Sequence, residues 1–206
     1  MIAIVDYGMG NLRSVAKAVE LFGGQAKVVT TPQEILAAEK VVLPGVGAFG
    51  DAMENLRRQD LVEAIRQVIR EDRPFLGICL GLQLLFTVGC ENGEHAGLDV
   101  FPGKVVRFDF STLPAGSGLA IPHMGWNSIG WTRDCPFLAG IEQGSFVYFV
   151  HSYHVAPEQA ELEATSTDYG YPFTSSIRRG NLFACQFHPE KSQKVGLKIV
   201  ENFVRL

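Results

Sequence analysis

Cysteine is scarce, with 4 in 206 residues, and Cys79, Cys90, Cys135 and Cys185 form neither a C-x-x-C pair nor a short Cys/His spacing of the kind zinc sites use. They read as free thiols, and neither a metal nor another cofactor is expected. An excess of basic charge is also missing. Lys and Arg total 18 against 22 Asp and Glu, for a formal net charge of -4, so nothing favours a polyanion and no nucleic-acid partner is expected. No stretch reaches about eighteen uninterrupted apolar residues, so no membrane span is expected. The N-terminal MIAIVDYG has too short an apolar stretch and no basic region for a signal peptide. These absences describe a soluble, cytoplasmic chain. Internal repeats and low-complexity segments are absent too, and the most linker-like stretch, LPAGSG at 113–118, is too brief to separate domains. Residues 1–206 therefore read as a single domain. With 47% hydrophobic and 19% charged residues, the chain can bury one substantial core without disulfides or metals.

In the first half, short β-rich runs alternate with amphipathic stretches. Ile2 to Val5 is followed by Leu12, Val15, Ala16, Val19 and Phe22 at helical spacing, ended by Gly23-Gly24. Ala26 to Val29 and Lys40 to Leu43 repeat the strand signal. A helical region then places Met53, Leu56, Val62, Ile65 and Ile69 on one face. Pro74 to Ile78 leads straight into Cys79. Near-continuous apolar strands between helices predict a doubly wound α/β layer, with its site at the strand C-terminal ends. From about Leu98 the runs turn mixed or antiparallel: Val105 to Phe110, Trp126 to Trp131, Phe146 to Val155, then Phe173 to Ile177 and Leu182 to Phe187 flanking an Arg179-Gly180-Asn181 turn. Ser192 is placed to cap a closing helix carrying Val195, Ile199 and Phe203.

Gly77-Ile78-Cys79-Leu80-Gly81 sits where a buried strand meets an apolar helix. A G-x-C-x-G there forms a nucleophile elbow, whose sharp turn presents the central side chain at the sheet edge under strain. The helix N-terminus beyond it favours thiolate. The competing reading of Cys79 is a small buried hydrophobe. A cysteine nucleophile needs a base and the base an orienting carboxylate, and His188-Pro189-Glu190 supplies both at the end of an apolar strand. Alone, that tripeptide reads as a loop residue and a solvated charge; its conjunction with the elbow favours catalysis. His95, His123, His151 and His154 read as structural or solvent-facing.

Leu43 to Gly50 contains a literal G-x-G-x-x-G at Gly45, Gly47 and Gly50. The dinucleotide reading fails because the match lies at the third βα turn behind Pro44. In addition, no acidic residue ends a strand about twenty residues later, since Asp72 precedes its strand. A glycine-rich turn beside an elbow instead suits an oxyanion hole, with Val46 or Gly47 donating alongside the Leu80 N–H. Gln83, four residues after Cys79, shares its face on a helix and is a substrate-binding candidate or a core-edge glutamine. Ser152 and Tyr153 offer backbone hydrogen bonds to an amino-acid substrate.

The stretches G-I-C-L-G-L-Q, Q-F-H-P-E-K and L-P-G-V-G-A-F resemble the triad-type, class I glutamine amidotransferases, with Cys79, His188 and Glu190 at the catalytic positions. The resemblance implies a flavodoxin-like α/β fold with a doubly wound mixed sheet and hydrolysis of L-glutamine to glutamate and ammonia through a cysteine thioester. D-Y-G-M-G-N-L, P-H-M-G-W-N and Y-F-V-H-S-Y are similar to the branch of that family serving histidine biosynthesis, in which a (β/α)8-barrel cyclase subunit receives the ammonia through a channel as the partner in a heterodimer. That resemblance places Gln83 and Glu91 around the substrate and Asn11, Trp126 and Lys191 on the face toward the barrel. Amidotransferases feeding anthranilate, GMP or pyridoxal phosphate synthesis share the triad, and P-H-M-G-W-N discriminates among them. A silent binding subunit and a free-standing cysteine hydrolase are the readings from other classes.

Overall fold

The computed structural model of the protein describes residues 1–112 and 118–206, so the linker-like stretch falls almost wholly outside the described residues. The first half comprises β1 (Ile2–Val5), α1 (Leu12–Glu20), β2 (Ala26–Val29), α2 (Pro32–Ala37), β3 (Lys40–Gly45), α3 (Phe49–Arg58), α4 (Leu61–Arg70) and β4 (Phe75–Cys79). Next come α5 (Leu80–Gln83), β5 (Phe86–Gly89), β6 (His95–Ala96), β7 (Phe101–Arg107), β8 (His123–Ser128), β9 (Phe146–His151) and β10 (Tyr153–Pro157). The chain closes with β11 (Glu163–Asp168), β12 (Pro172–Arg179), β13 (Leu182–Cys185) and α6 (Gln193–Val204).

The main sheet runs β2-β1-β3-β4-β13-β12-β10-β7-β5-β6, with β11 also paired to β12. Strands β2, β1, β3, β4 and β13 are mutually parallel, whereas β12 pairs antiparallel with both β13 and β10. The sheet is therefore mixed, and its parallel part follows the 2-1-3-4 order of doubly wound folds. Alternation along each strand divides the core in two. Ala3, Val5, Val41, Leu43 and Phe75 face the layer holding α2, α3 and α4. Ile2, Ile4, Val42, Leu76 and Ile78 face α1 and α6, where Val19, Ile199 and Phe203 complete the packing. Among the described residues no helix is long and apolar enough to cross a membrane.

Several features differ from the sequence expectation. Helix α2 went unread because it is six residues long with one buried side chain, Ile35, too short for periodicity. Its signal is the Thr31-x-x-Glu34 capping pattern: Thr31 Oγ1 accepts from Glu34 N, and Glu34 Oε2 accepts from the N–H of Thr30, one residue before the cap. The single helical region after β3 is two helices, broken at Asp60, whose φ of 56° is left-handed; both halves lie on the same sheet face, so the apolar stripe continues across the break. The run from Phe146 to Val155 is likewise two strands, since β9 pairs with β8 in a separate ribbon while β10 enters the main sheet. Ser192 stands before α6 without capping it, because its buried hydroxyl donates to His188 O at 2.6 Å and accepts from Tyr148 N at 2.9 Å.

Between the ribbon and the sheet, Phe108 is surrounded by His123, His151, His154, Tyr169, Tyr171 and Phe173. The hydrogen bonds set the tautomers. The Asn127 NH2, oriented by its bond to the Asp168 carbonyl, donates to His123 Nε2, so His123 Nδ1 donates to His151 Nε2 at 3.0 Å and His151 Nδ1 donates to the Tyr153 carbonyl at 2.8 Å. Both rings are therefore neutral, and burial pushes His123 down to about 4 and His151 to about 3. A base whose folded-state pKa is depressed takes up its proton on unfolding. The stability these rings contribute is complete above their unfolded pKa of about 6.5 and is lost as pH falls toward those values. We expect the thermal midpoint to fall through this range, with the ring protons of His123 and His151 keeping neutral NMR shifts at about pH 5 in the folded chain. A ring titrating near its ordinary value would show that this chain of neutral tautomers does not exist.

Candidate active site

The β4–α5 junction carries the strain an elbow requires. Cys79 has φ 54° and ψ -109°, a conformation an L-residue adopts only when its surroundings impose it. Those surroundings are apolar strand on one side and a single helical turn on the other, held by Leu84 N donating to Leu80 O at 2.9 Å. Gly81 permits the close approach, since a Cβ there would overlap the Leu43 carbonyl oxygen. The helix expected after Cys79 is thus only four residues long, yet Gln83 still reaches the pocket beside the sulfur.

His188 follows β13, the neighbour of β4 in the sheet. Its N–H donates to Tyr148 O at 2.9 Å and its carbonyl accepts from Ser192, so the backbone is held on both sides. His188 Nδ1 donates to Glu190 Oε1 at 2.9 Å, with the two side chains 1% and 2% exposed. This leaves Nε2 buried and without a partner of good hydrogen-bond geometry among the described residues, available for proton transfer. Burial opposes protonation, but the neighbouring Cys79 and Glu190 outweigh it and raise the imidazole to about 9.

A cavity of about 370 Å³ opens above the sulfur, lined by Cys79, His188, Gln83 and Glu91 among others. Val46, Gly47 and Leu80 form one wall and Ser152 and Tyr153 another. Gly47 has φ +95°, and a Cβ there would collide with the Met9 methyl, so the turn after β3 depends on glycine. Tyr7, fully buried, donates to Pro44 O at 2.9 Å and anchors the strand end before that turn. Glu91 accepts from Phe49 N at 2.8 Å, tying its loop to the start of α3. Among the described residues, no group of His, Cys, Asp and Glu is placed to hold a metal ion.

The residues assigned to the partner face lie apart from the cavity floor. Trp126 and Lys191 flank Tyr148, the ring centroids of Trp126 and Tyr148 6.1 Å apart and Lys191 Nζ 6.0 Å from the Tyr148 centroid. Asn11 precedes α1, which packs on the turn carrying Lys191. Two polar neighbours of the site were missed in sequence. His151 lines the cavity although it reads as structural, and Gln186 lies beneath the sulfur, its Nε2 3.6 Å from Cys79 Sγ. The signal for Gln186 was its place two residues before His188 at a strand end, which puts both on one face.

A strained cysteine at a strand–helix elbow, beside a buried His–Glu pair just beyond the next parallel strand, is an arrangement able to do nucleophilic acyl chemistry in an α/β layer. The chain belongs to the glutamine amidotransferase class-I family, whose model matches residues 3–206. It is 53% identical over 203 residues to imidazole glycerol phosphate synthase subunit HisH of Syntrophotalea carbinolica, covering 98% of each chain. Subunits of the same name from Geobacter sulfurreducens and Aquifex aeolicus are 52% and 53% identical, covering 98% of this chain and 97% and 95% of theirs. Among solved structures, a glutamine amidotransferase superposes with TM-score 0.74 at 17% identity over 100% of both chains. PurLQS from Thermotoga maritima gives 0.74 at 18%, covering 99% of this chain and 97% of that one. These structures are similar in fold.

Proposed function

We propose that this protein is the glutaminase subunit of an imidazole glycerol phosphate synthase, built as a single amidotransferase domain and working in the cytoplasm in histidine biosynthesis. The observation that carries the reading is the strained Cys79 in one cavity with the partnerless Nε2 of His188; identity above 50% to the HisH subunits supplies the pathway. In this reading the Cys79 thiolate attacks the carboxamide carbon of L-glutamine. Charge collects on the carbonyl oxygen, where the N–H of Leu80 and that of Val46 or Gly47 stabilise it. Collapse of the tetrahedral adduct breaks the C–N bond, and His188 gives its proton to the departing ammonia. A water molecule, deprotonated by the now neutral His188, cleaves the γ-glutamyl thioester and restores the thiol with release of glutamate. Glu190 keeps the imidazole oriented and offsets its charge throughout. Gln83, Glu91, Ser152 and Tyr153 hold the amino-acid end of the substrate.

The partner is a (β/α)8-barrel cyclase forming a heterodimer. Met124 (66% exposed), Trp126 (45%) and Phe146 (57%) give the β8–β9 ribbon an apolar outer face. That face, with Asn11 and Lys191, is the docking surface for the barrel, and Val150 of the same ribbon lines the cavity, so ammonia leaves close to the interface. The test is glutamate release from glutamine by the purified chain, alone and with the barrel cyclase and its ribonucleotide. Low turnover alone and strong stimulation by the liganded partner are expected. Turnover that ignores the partner keeps the amidase and discards the histidine-pathway assignment.

A further inference from the structure

The sulfur of Cys79 has a polar neighbour besides the imidazole. Gln186 is completely buried and does not line the cavity. Its backbone N–H is fixed to Ser175 O at 2.8 Å, and its side chain belongs to a hydrogen-bonded chain whose polarity follows from one atom. The Tyr153 carbonyl only accepts, so the Gln83 side chain must turn its nitrogen toward it, at 3.0 Å. The second hydrogen of that nitrogen goes to Gln186 Oε1, also at 3.0 Å. Gln186 is thereby left with its own NH2 facing Cys79 Sγ, an orientation set by pairing rather than by choice between nearly identical atoms.

We propose that Gln186 is a positioning residue for the nucleophile: its amide, anchored through Gln83 to the Tyr153 carbonyl, holds the Cys79 sulfur in the attacking orientation and favours its negative charge. This inference rests on Cys79 being the nucleophile. An N–H donor stabilises a thiolate more than a thiol, because a hydrogen bond to a charged acceptor is the stronger one. Among the described residues the imidazole Nε2 makes no hydrogen bond of good geometry, although Cys79 lies close enough to raise its pKa, so the amide is a second donor to the sulfur, fixed by the relay, and the imidazole stays available for proton transfer to the leaving group. The relay also ends on a residue that lines the cavity. Gln83 and Tyr153, residues placed at the amino-acid end of the substrate, are thus physically joined to the reacting sulfur.

The test is the pH dependence of Cys79 carboxamidomethylation by iodoacetamide in the folded chain, read by peptide mass. Gln186→Met has nearly the same volume and no donor. It should move the midpoint of reactivity upward by about one pH unit, roughly tenfold slower alkylation on the acidic side. Its kcat for glutamine should fall by a similar factor, with KM changed by less than about twofold. Gln83→Met, which frees the Gln186 amide to rotate, should shift the profile the same way by less. A space-filling role would lower the thermal midpoint and leave both profiles where they are. An unmoved alkylation profile in folded Gln186→Met overturns the proposal; should that variant not fold, an unmoved profile in Gln83→Met does so. A wild-type chain whose Cys79 alkylates with the expected profile but which never hydrolyses glutamine overturns the proposed function instead.

Discussion

Cys79→Ala is expected to lower glutamate release by at least about 10⁴-fold, the scale on which removal of a covalent nucleophile acts in triad enzymes, while the chain stays folded. The two halves of this expectation have different physical origins. Activity vanishes because no other group occupies the elbow: Cys185 is fully buried, its sulfur directed at the carbonyls of Gly77 and Phe187, and burial pushes its thiol up. The fold survives because the substitution deletes one small side chain and leaves the strand, the elbow glycines and the His188–Glu190 pair untouched. Alanine does inherit the strain at φ 54°. Glycine does not, so Cys79→Gly should be more stable than Cys79→Ala by about 1 kcal/mol, the strain relieved less the chain entropy that glycine adds. Calorimetry on the two inactive variants measures that difference. Glutamine turnover retained in Cys79→Ala sinks the mechanism, and a Cys79→Gly chain less stable than Cys79→Ala sinks the argument that the elbow is strained.

What was legible in the sequence is what depends on neighbours in the chain. Strand identity and face alternation at Ile2 to Val5 and Lys40 to Leu43 follow from apolar runs between helical patterns, and the elbow at Gly77 to Gly81 follows from glycine spacing at a strand end. His188 and Glu190 are two residues apart, so their pairing is local as well. The unread parts depend on distant partners. Glu91, named only through the resemblance, meets Phe49 N across 42 positions, and Gln186 meets Cys79 across 107; no local periodicity encodes either distance. Ser192 shows the same limit from the other side: its position before α6 suggests a cap, but the Tyr148 N–H and the His188 carbonyl, reached only in the fold, claim the hydroxyl. The break between β9 and β10 is invisible in FVYFVHSYHV because both strands are apolar and only a one-residue bend at Ser152 separates them.

Gly81→Ala should be severely damaging for a single added methyl, for both stability and activity. The added Cβ would overlap the Leu43 carbonyl oxygen, a backbone atom of β3 with no freedom to retreat. Leu43 is in register with Gly77 on β4, and β3 is held on its other edge by β1. Helix α5 is a single turn locked to the elbow, so the displacement falls on Cys79 and Leu80, the residues proposed to supply the thiol and one oxyanion N–H. Overpacking against fixed backbone costs about 3 kcal/mol or more, and a shift of about 1 Å at reacting atoms costs about 10²-fold in rate. The matched control is Gly130→Ala. Gly130 has no positive φ, and a Cβ there would meet nothing nearer than Gln143 Oε1 at 3.9 Å, so the change should alter stability by less than about 0.5 kcal/mol. Both variants add the same methyl group and the same loss of chain entropy in the unfolded state. Any difference in their thermal midpoints and turnover therefore reports the close approach of α5 to β3. Equal effects in the two would mean that the elbow tolerates the extra atom and that Gly81 is not what seats the nucleophile.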